Sequence, residues 1–249
     1  MNYPKEFIEL LENKEWEKNY IGVGNPNAKI LIVGKECATN DYIGYHGEEG
    51  IHPNFALWKE TVQRMDIKEM EDVEKWGPGM VPNPLYPYKG QLYKKYSEIK
   101  DKNGNVVKRR GECGTSATWF NYQKLINIYR DHQNGYPFRS NRQTIDFFKD
   151  CFITELSDIS RPNNNNLSST DRQKTECSIR TRFELICKTP FFQNQFSIVI
   201  LACKPYAEKL DKQRMFGEAK IIEYAPMIIP QLSVNISDDL LESIASQMV

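Results

Sequence analysis

The sequence predicts an α/β fold in which helices cover both faces of a short, mostly parallel sheet of four strands. Three buried strands are indicated by short apolar runs rich in β-branched residues, at 28–33, 151–156 and 196–202. A shorter run at 220–222 is the fourth strand candidate. Helical segments separate these runs, and this alternation is typical of a parallel sheet with right-handed crossovers. We therefore expect a three-layer α/β/α architecture.

The helices are indicated by apolar side chains that recur three and four residues apart. Helix ends are marked by capping residues such as Ser237 and by the stop signals Gly135 and Pro137. The helices predicted in this way span residues 4–18, 56–70, 114–134, 144–149, 175–188, 205–210 and 237–249.

A polar segment at about 76–114 interrupts the alternation and is predicted to be an insertion. Within it, 94–110 indicates a β-hairpin about Asn103-Gly104, a dipeptide that readily takes the positive φ angles of a type I′ turn. The chain has 249 residues, of which 40% are hydrophobic. That is enough apolar surface for one large core, so we expect a single domain over residues 1–249.

Composition excludes several classes of protein. A formal net charge of zero argues against nucleic-acid binding by bulk electrostatics and leaves only a local basic strip. No apolar run approaches the ~20 residues of a membrane helix, and Met1 leads into Lys5 and Glu6, so we expect a cytoplasmic protein without a membrane partner. The six cysteines are widely spread without a Cys-x-x-Cys pair, and we expect free thiols.

A glycine-led segment, GNPNAKILIVGKE at 24–36, joins the first strand to an acidic side chain. This segment resembles the opening of the uracil-DNA glycosylase superfamily, whose members place a glycine-led acidic motif directly after their first strand. Residues 152–155 resemble the family's second strand, which ends in a base-recognising residue, and 197–202 resemble its third. The resemblance implies the family's fold and hydrolysis of the N-glycosidic bond of a damaged base, as in DNA repair.

The chain also differs from the family at three places. Glu36 precedes Cys37 where the family commonly has an acidic residue followed by proline, and Glu155 stands where many members have asparagine. The segment 230–233, Pro-Gln-Leu-Ser, stands where the family has a histidine-proline-serine loop. Two functions therefore stay open: a glycosylase, and a nucleic-acid or protein binding module that kept the sheet and lost the chemistry. A third alternative, an unrelated flavodoxin-like sheet, would be revealed by a different strand order.

The resemblance assigns roles to side chains at the carboxyl ends of the strands, where open α/β sheets bind their ligands. Glu36 and Asp41 are the catalytic candidates, because a carboxylate can activate water or offset positive charge on the sugar. The base-binding candidates are Cys37, Asn40, Tyr42, Glu155, Asp158, Gln231 and Ser233. The alternative for Glu36 and Asp41 is that both are solvated loop residues.

No metal or cofactor is expected. His46 and His52 match no recognised zinc spacing, and no cysteines are spaced for the iron–sulfur cluster of some branches of the family. His132 is predicted to meet the carbonyl groups at the end of its helix. The aromatic residues at 119–122 begin an amphipathic helix and are predicted to belong to the core.

The hairpin segment combines tyrosines with basic side chains, a mixture suited to stacking bases and contacting phosphates of single-stranded or damaged DNA. The alternative is a solvated hairpin whose lysines protect a sheet edge from aggregation. The nucleic-acid-binding candidates are Lys94, Lys95, Lys108, Arg109 and Arg110.

Replacement of Lys108, Arg109 and Arg110 with alanine tests this strip. If the strip contacts phosphates, affinity for single-stranded DNA should fall, and the slope of log affinity against log salt should flatten by about one unit at most per lost contact. Titrations at two salt concentrations measure both effects. Identical curves for the variant and the parent chain would make the strip ordinary surface.

Overall fold

A computed structural model of the chain describes residues 2–38, 53–64, 83–87, 98–100, 102–104, 106–108, 117–134, 145–161, 168–203, 206–222 and 236–249. The strands are β1 (Val23–Gly24), β2 (Ile30–Ala38), β3 (Glu98–Lys100), β4 (Val106–Lys108), β5 (Cys151–Arg161), β6 (Ile198–Leu201) and β7 (Lys220–Ile222). The α-helices are α1 (Lys5–Glu12), α2 (Phe55–Gln63), α3 (Ala117–Asn134), α4 (Ser169–Cys187), α5 (Pro190–Asn194), α6 (Lys212–Phe216) and α7 (Asp238–Gln247). Short 3₁₀ helices span Lys14–Trp16, Phe147–Lys149 and Tyr206–Lys209. In the described part of the chain, no helix combines the length and apolar composition needed to span a bilayer.

Five strands form the main sheet, in the order β1-β5-β2-β6-β7. The four predicted strands are confirmed, and β5, β2, β6 and β7 run parallel. The fifth strand, β1, was not predicted and pairs antiparallel with β5, so the sheet is mixed. Gly24 takes a φ of +99° in β1, and a Cβ there would press on the carbonyl oxygen of Cys151. Val23–Gly24 is thus an edge strand whose backbone lies unusually close to β5.

The two faces of the sheet pack against different helices because successive side chains of a strand point to opposite faces. Ile30 and Ile32 of β2 belong to a core cluster with α3 and α7. Leu31 and Val33 belong to a second cluster with α1, α2, α4, α5 and α6. The predicted three layers of helix, sheet and helix are therefore present.

Some helix boundaries agree with the prediction and others differ from it. α3 ends at Asn134, directly before the predicted stop at Gly135. α4 begins six residues earlier than predicted, because the Ser168 side chain accepts a hydrogen bond from the Asp171 backbone N–H. α5 and α6 are short helices that the sequence pattern did not indicate.

The predicted hairpin is confirmed, but its turn is not of type I′. β3 and β4 pair antiparallel, and the pair nearest the turn is Lys100 with Val106. A type I′ turn needs positive φ at both central residues. Gly104 has a φ of +80°, whereas no described non-glycine residue has a positive φ. The connection is therefore longer than the two-residue turn that Asn103-Gly104 predicted.

The central strands β2 and β5 are longer than their apolar runs. Gly34 was predicted to end the first strand, but β2 continues to Ala38. β5 likewise passes Leu156 and continues to Arg161. The two strands stay in parallel register from Ile30 with Cys151 to Glu36 with Ser157, and an irregularity follows. Hydrogen bonding between the backbones therefore carries both strands beyond the hydrophobic core.

Polar contacts between side chains join α3 and α7. The His132 ring lies 2.5 Å from a carboxylate oxygen of Glu242, rather than against helix carbonyl groups as predicted. Lys124 pairs with Asp238 in the first turn of α7 at 2.5 Å. Ser237 caps α7 as predicted, since its side chain accepts from the Leu240 backbone N–H.

A charge introduced at Val199 tests the central position of β6. Val199 is fully buried between β2 and β7, so Val199→Asp should cost several kcal/mol of a total stability of ~5–15 kcal/mol and unfold the protein. Ser197→Asp is the matched control, because Ser197 precedes β6 and is exposed. Urea unfolding of both variants measures the difference. Equal stability of the two variants would contradict the assigned core position.

Candidate functional site

The candidate site lies at the carboxyl ends of β5, β2 and β6. The chain passes from β2 to β5 on one side and then returns to β6 on the other side of β2. The intervening helices α3 and α4 lie on opposite faces of the sheet. The connections thus diverge between β2 and β6, and such a switch point is where open α/β sheets form a ligand crevice. Directly after β6, the backbone N–H of Ala202 donates a hydrogen bond to the carbonyl of Val33 in β2 at 2.9 Å.

Glu155 lies across β2 at this crevice. It is partly exposed and is the register partner of Gly34 in the parallel pair of β5 and β2. A Cβ on Gly34 would lie 2.7 Å from the Glu155 Cδ atom and 2.8 Å from its Oε1 atom. The carboxylate therefore fills the space that any side chain at position 34 would take. Gly34 thus leaves room for the Glu155 carboxylate, and β2 continues past it.

Tyr122 of α3 lies within the electrostatic influence of this carboxylate. The residue is 3% exposed, and its ring packs edge-on against Phe147. Burial, followed by the negative charges of Glu155 and Cys203, raises the pKa of Tyr122 well above its usual value. The phenol therefore keeps its proton at neutral pH and can donate a hydrogen bond.

Arg182 of α4 holds β5 from the opposite face of the sheet. Its side chain is fully buried, and its guanidinium donates to the carbonyl oxygen of Glu155 at 2.8 Å and to the Thr154 hydroxyl at 2.9 Å. A third contact, at 2.9 Å, joins the guanidinium to the Asp158 carboxylate. The Trp16 ring lies 5.4 Å away. These contacts fix the backbone that carries Glu155.

Asp158, a predicted base-binding residue, takes part in this internal network. Its carboxylate accepts from the Tyr20 backbone N–H at 3.3 Å, in addition to the ion pair with Arg182. Its own backbone N–H donates to the Ser178 hydroxyl of α4 at 2.9 Å. The structure thus gives Asp158 a role in joining β5 to α4. Its role in binding a base stays a prediction.

The other predicted site residues are placed only in part. Glu36 and Cys37 lie within β2 rather than on a loop, and the Glu36 backbone is in register with Ser157, two residues beyond Glu155. Lys108 lies in β4. The remaining candidates, Asn40, Asp41, Tyr42, Lys94, Lys95, Arg109, Arg110, Gln231 and Ser233, lie outside the described residues, as do His46 and His52.

Four cysteines in the described residues are free, as predicted: Cys151, Cys177, Cys187 and Cys203. Burial raises the pKa of the Cys151 thiol well above its usual value and also raises that of Cys187, so neither thiol is poised as a nucleophile. Among the described residues, no group of three or more His, Cys, Asp or Glu side chains is arranged to hold a metal ion.

Two residues of the site were missed in the sequence. Tyr122 was assigned to the core and is buried there, but the charge of Glu155 also acts on it. The helical spacing shows only that one face of α3 is covered. Arg182 gave no signal at all, because an arginine within a polar helix is normally exposed. A buried arginine becomes evident only from the packing of α4 on β5.

Comparison of the chain with protein-family models, with curated proteins and with solved structures finds no match. Two features of the chain bear on its function: the geometry at the carboxyl ends of the strands and the sequence resemblance of residues 24–36. Both concern the same part of the molecule, since 24–36 contains Gly34 and most of β2.

Arg182→Met tests whether the buried guanidinium holds the site together. Methionine keeps the apolar stem but leaves Asp158 buried without its cation, so the free energy of unfolding should fall by about 3–5 kcal/mol. Arg214→Met is the matched control, because Arg214 pairs with Glu184 at the surface and should contribute far less. Chemical denaturation of both variants measures this, and similar losses would contradict a special role for Arg182.

Proposed function

We propose that this chain is a divergent uracil-DNA-glycosylase-like protein that binds a base of DNA in the crevice between β2 and β6 and hydrolyses its N-glycosidic bond. The observation that carries the proposal is the Glu155 carboxylate lying over Gly34 at the switch point of the sheet. A polar group held in place at such a crevice is suited to recognise the edge of a flat ring.

The surroundings of Glu155 support binding of a specific ligand. Arg182 fixes its backbone through the carbonyl oxygen, and Gly34 leaves room for its side chain. A group that is already oriented loses little freedom when a ligand binds, and this favours affinity. Lys35 of β2 and Tyr206 lie near the same edge of the sheet, with the ammonium 5.5 Å from the ring centre.

The reaction needs a second carboxylate, and Glu36 is our candidate. In hydrolysis of the bond, a water oxygen bonds to the sugar carbon as the bond from that carbon to the base nitrogen breaks. A carboxylate can take the proton of the water or offset the positive charge that develops on the sugar. Glu36 follows Gly34 by two residues on β2, so its backbone lies next to the position that Glu155 covers.

The alternative function is a binding module without catalysis on the same crevice. The sequence feature that favours it is the absence of histidine from 224–233, where the resembling family has a histidine-proline-serine loop. A flavodoxin-like protein stays a further alternative, since the parallel strands follow the order 2-1-3-4, with which the flavodoxin-like order 2-1-3-4-5 begins.

Glu36→Gln tests the catalytic assignment. The parent chain is first incubated with oligonucleotides that carry uracil, hypoxanthine or xanthine, and abasic sites are detected by strand cleavage in alkali. We expect weak activity on one of them and a loss of roughly a hundredfold or more in Glu36→Gln, because the carboxylate acts in the transition state. Glu12→Gln, at the exposed end of α1, is the control and should cleave like the parent.

Equal cleavage by Glu36→Gln and the parent would make the catalytic assignment wrong. Binding of these oligonucleotides without cleavage by the parent would favour the non-catalytic module. Neither binding nor cleavage would reject the function on this fold.

A further inference from the structure

We infer that Lys35 binds a phosphate group of the DNA backbone at the carboxyl end of β2. The inference rests on the proposed function, because it names the part of a nucleotide that the crevice holds besides the base. It follows from the position of the Lys35 ammonium, its partial burial and the charges around it.

Lys35 lies at the switch point of the sheet. It follows Gly34 on β2 and stands two residues past Val33, the last residue of β2 that pairs with β6. β2 lies in the middle of the sheet, and the side chains at its carboxyl end border the crevice. A ligand in the crevice therefore lies close to the position of Lys35.

Alternation along the strands puts Lys35 and Glu155 on opposite faces of the sheet. Leu31 and Val33 belong to the core cluster that includes α4, and Lys35 is the next residue on that face. Ile153 belongs to the cluster that includes α3, and Glu155 is the next residue on its face. A nucleotide carries its base and its phosphate on different carbons of the sugar. It can therefore present the base on one side of this strand end and the phosphate on the other.

The Lys35 ammonium is partly enclosed by an aromatic ring. The residue is half-buried, and its Nζ atom lies 5.5 Å from the centre of the Tyr206 ring. Tyr206 in turn packs against the hydrophobic core. The ring attracts the cation and restrains it, but it carries no net charge. The positive charge of Lys35 is therefore held in place without being neutralised.

Other cations in similar surroundings have carboxylate partners. Three that are at least partly buried each form an ion pair: Lys124 with Asp238, Arg130 with Asp146, and Arg182 with Asp158. Among the residues that the structure describes, Lys35 has no such partner, and its ammonium contacts Tyr206. Partial burial of a cation is costly unless an anion compensates its charge. Phosphate is the anion that a nucleotide carries, and lysine is a common phosphate ligand.

The alternative is that the carbon chain of Lys35 covers apolar surface while the ammonium stays in water. The charge would then contribute nothing to the binding of DNA. Salt dependence distinguishes the two cases, because a protein that neutralises a phosphate releases its counterions. For single strands, each such contact steepens the slope of log affinity against log salt by about 0.7.

The test measures binding of the full chain to short oligothymidine strands, unsubstituted or with one central uracil, hypoxanthine or xanthine. Fluorescence anisotropy gives the affinity at several salt concentrations. Lys35→Gln removes the charge and should weaken binding at low salt and flatten the slope by about 0.7. Lys35→Arg keeps the charge and should keep the slope of the parent chain.

Lys29→Gln is the matched control. Lys29 directly precedes β2 and is exposed, so it carries the same charge at the opposite, amino end of the same strand. The slope for this variant should equal that of the parent. Denaturant unfolding confirms that each variant is folded at the temperature of the titration.

Inorganic phosphate distinguishes a site for free phosphate from a site for the DNA backbone. At constant ionic strength, inorganic phosphate should displace the strands from the parent no better than from Lys35→Gln. Preferential displacement from the parent would mean that Lys35 takes free phosphate, and it would overturn the assignment to DNA.

The outcomes separate this inference from the proposed function. An unchanged slope in Lys35→Gln, or an equal loss in Lys29→Gln or Lys35→Arg, overturns the phosphate contact even where a substituted strand binds more tightly than oligothymidine. If the slope flattens only in Lys35→Gln but no substituted strand exceeds oligothymidine, the phosphate contact stands and base recognition fails. If the parent binds none of the strands, both fail.

Discussion

The buried guanidinium of Arg182 makes the contacts on which the candidate site depends. On either side of Leu156, β5 carries buried polar groups that need partners other than water. Arg182 satisfies the Glu155 carbonyl and the Thr154 hydroxyl, while Asp158 balances its charge. Because a buried cation without a partner is very costly, these groups are stable only together. The arrangement joins α4, β5 and the segment around Trp16 into one unit.

In this arrangement the two faces of β5 have different roles. Thr154 faces the layer of α4, where Arg182 contacts it, and the next residue, Glu155, faces the layer of α3. The alternation of a strand thus allows one stretch of backbone to be anchored on one face and to present a carboxylate on the other. The same guanidinium bonds to the side chain of Thr154 and to the main chain of Glu155.

Most of the sheet was predictable from the sequence, but the extent of its strands was not. Ile30 to Val33 and Ile198 to Leu201 are buried on both faces, so they form continuous apolar runs that identify them. Polar residues such as Glu36 extend the pairing through backbone hydrogen bonds, which leave no mark in the side-chain pattern. Gly34 was predicted to end its strand because glycine is common in turns. Glycine also occurs where another group lies close to the backbone, and Gly34 is such a position. Glu155 could be singled out because it ends the segment 152–155 that resembles a strand of a known family, whereas the roles of Tyr122 and Arg182 depend on packing between distant segments.

The contact between Gly34 and Glu155 links two positions that are far apart in the chain. With glutamate at 155, a side chain at 34 requires the carboxylate to shift; with a small residue at 155, alanine or serine would fit there without that shift. The two orders of substitution therefore differ: shortening the glutamate first leaves open space at 34, whereas replacing the glycine first moves the carboxylate from its position. During divergence, such a dependence would keep the glycine in place for as long as the carboxylate remains useful.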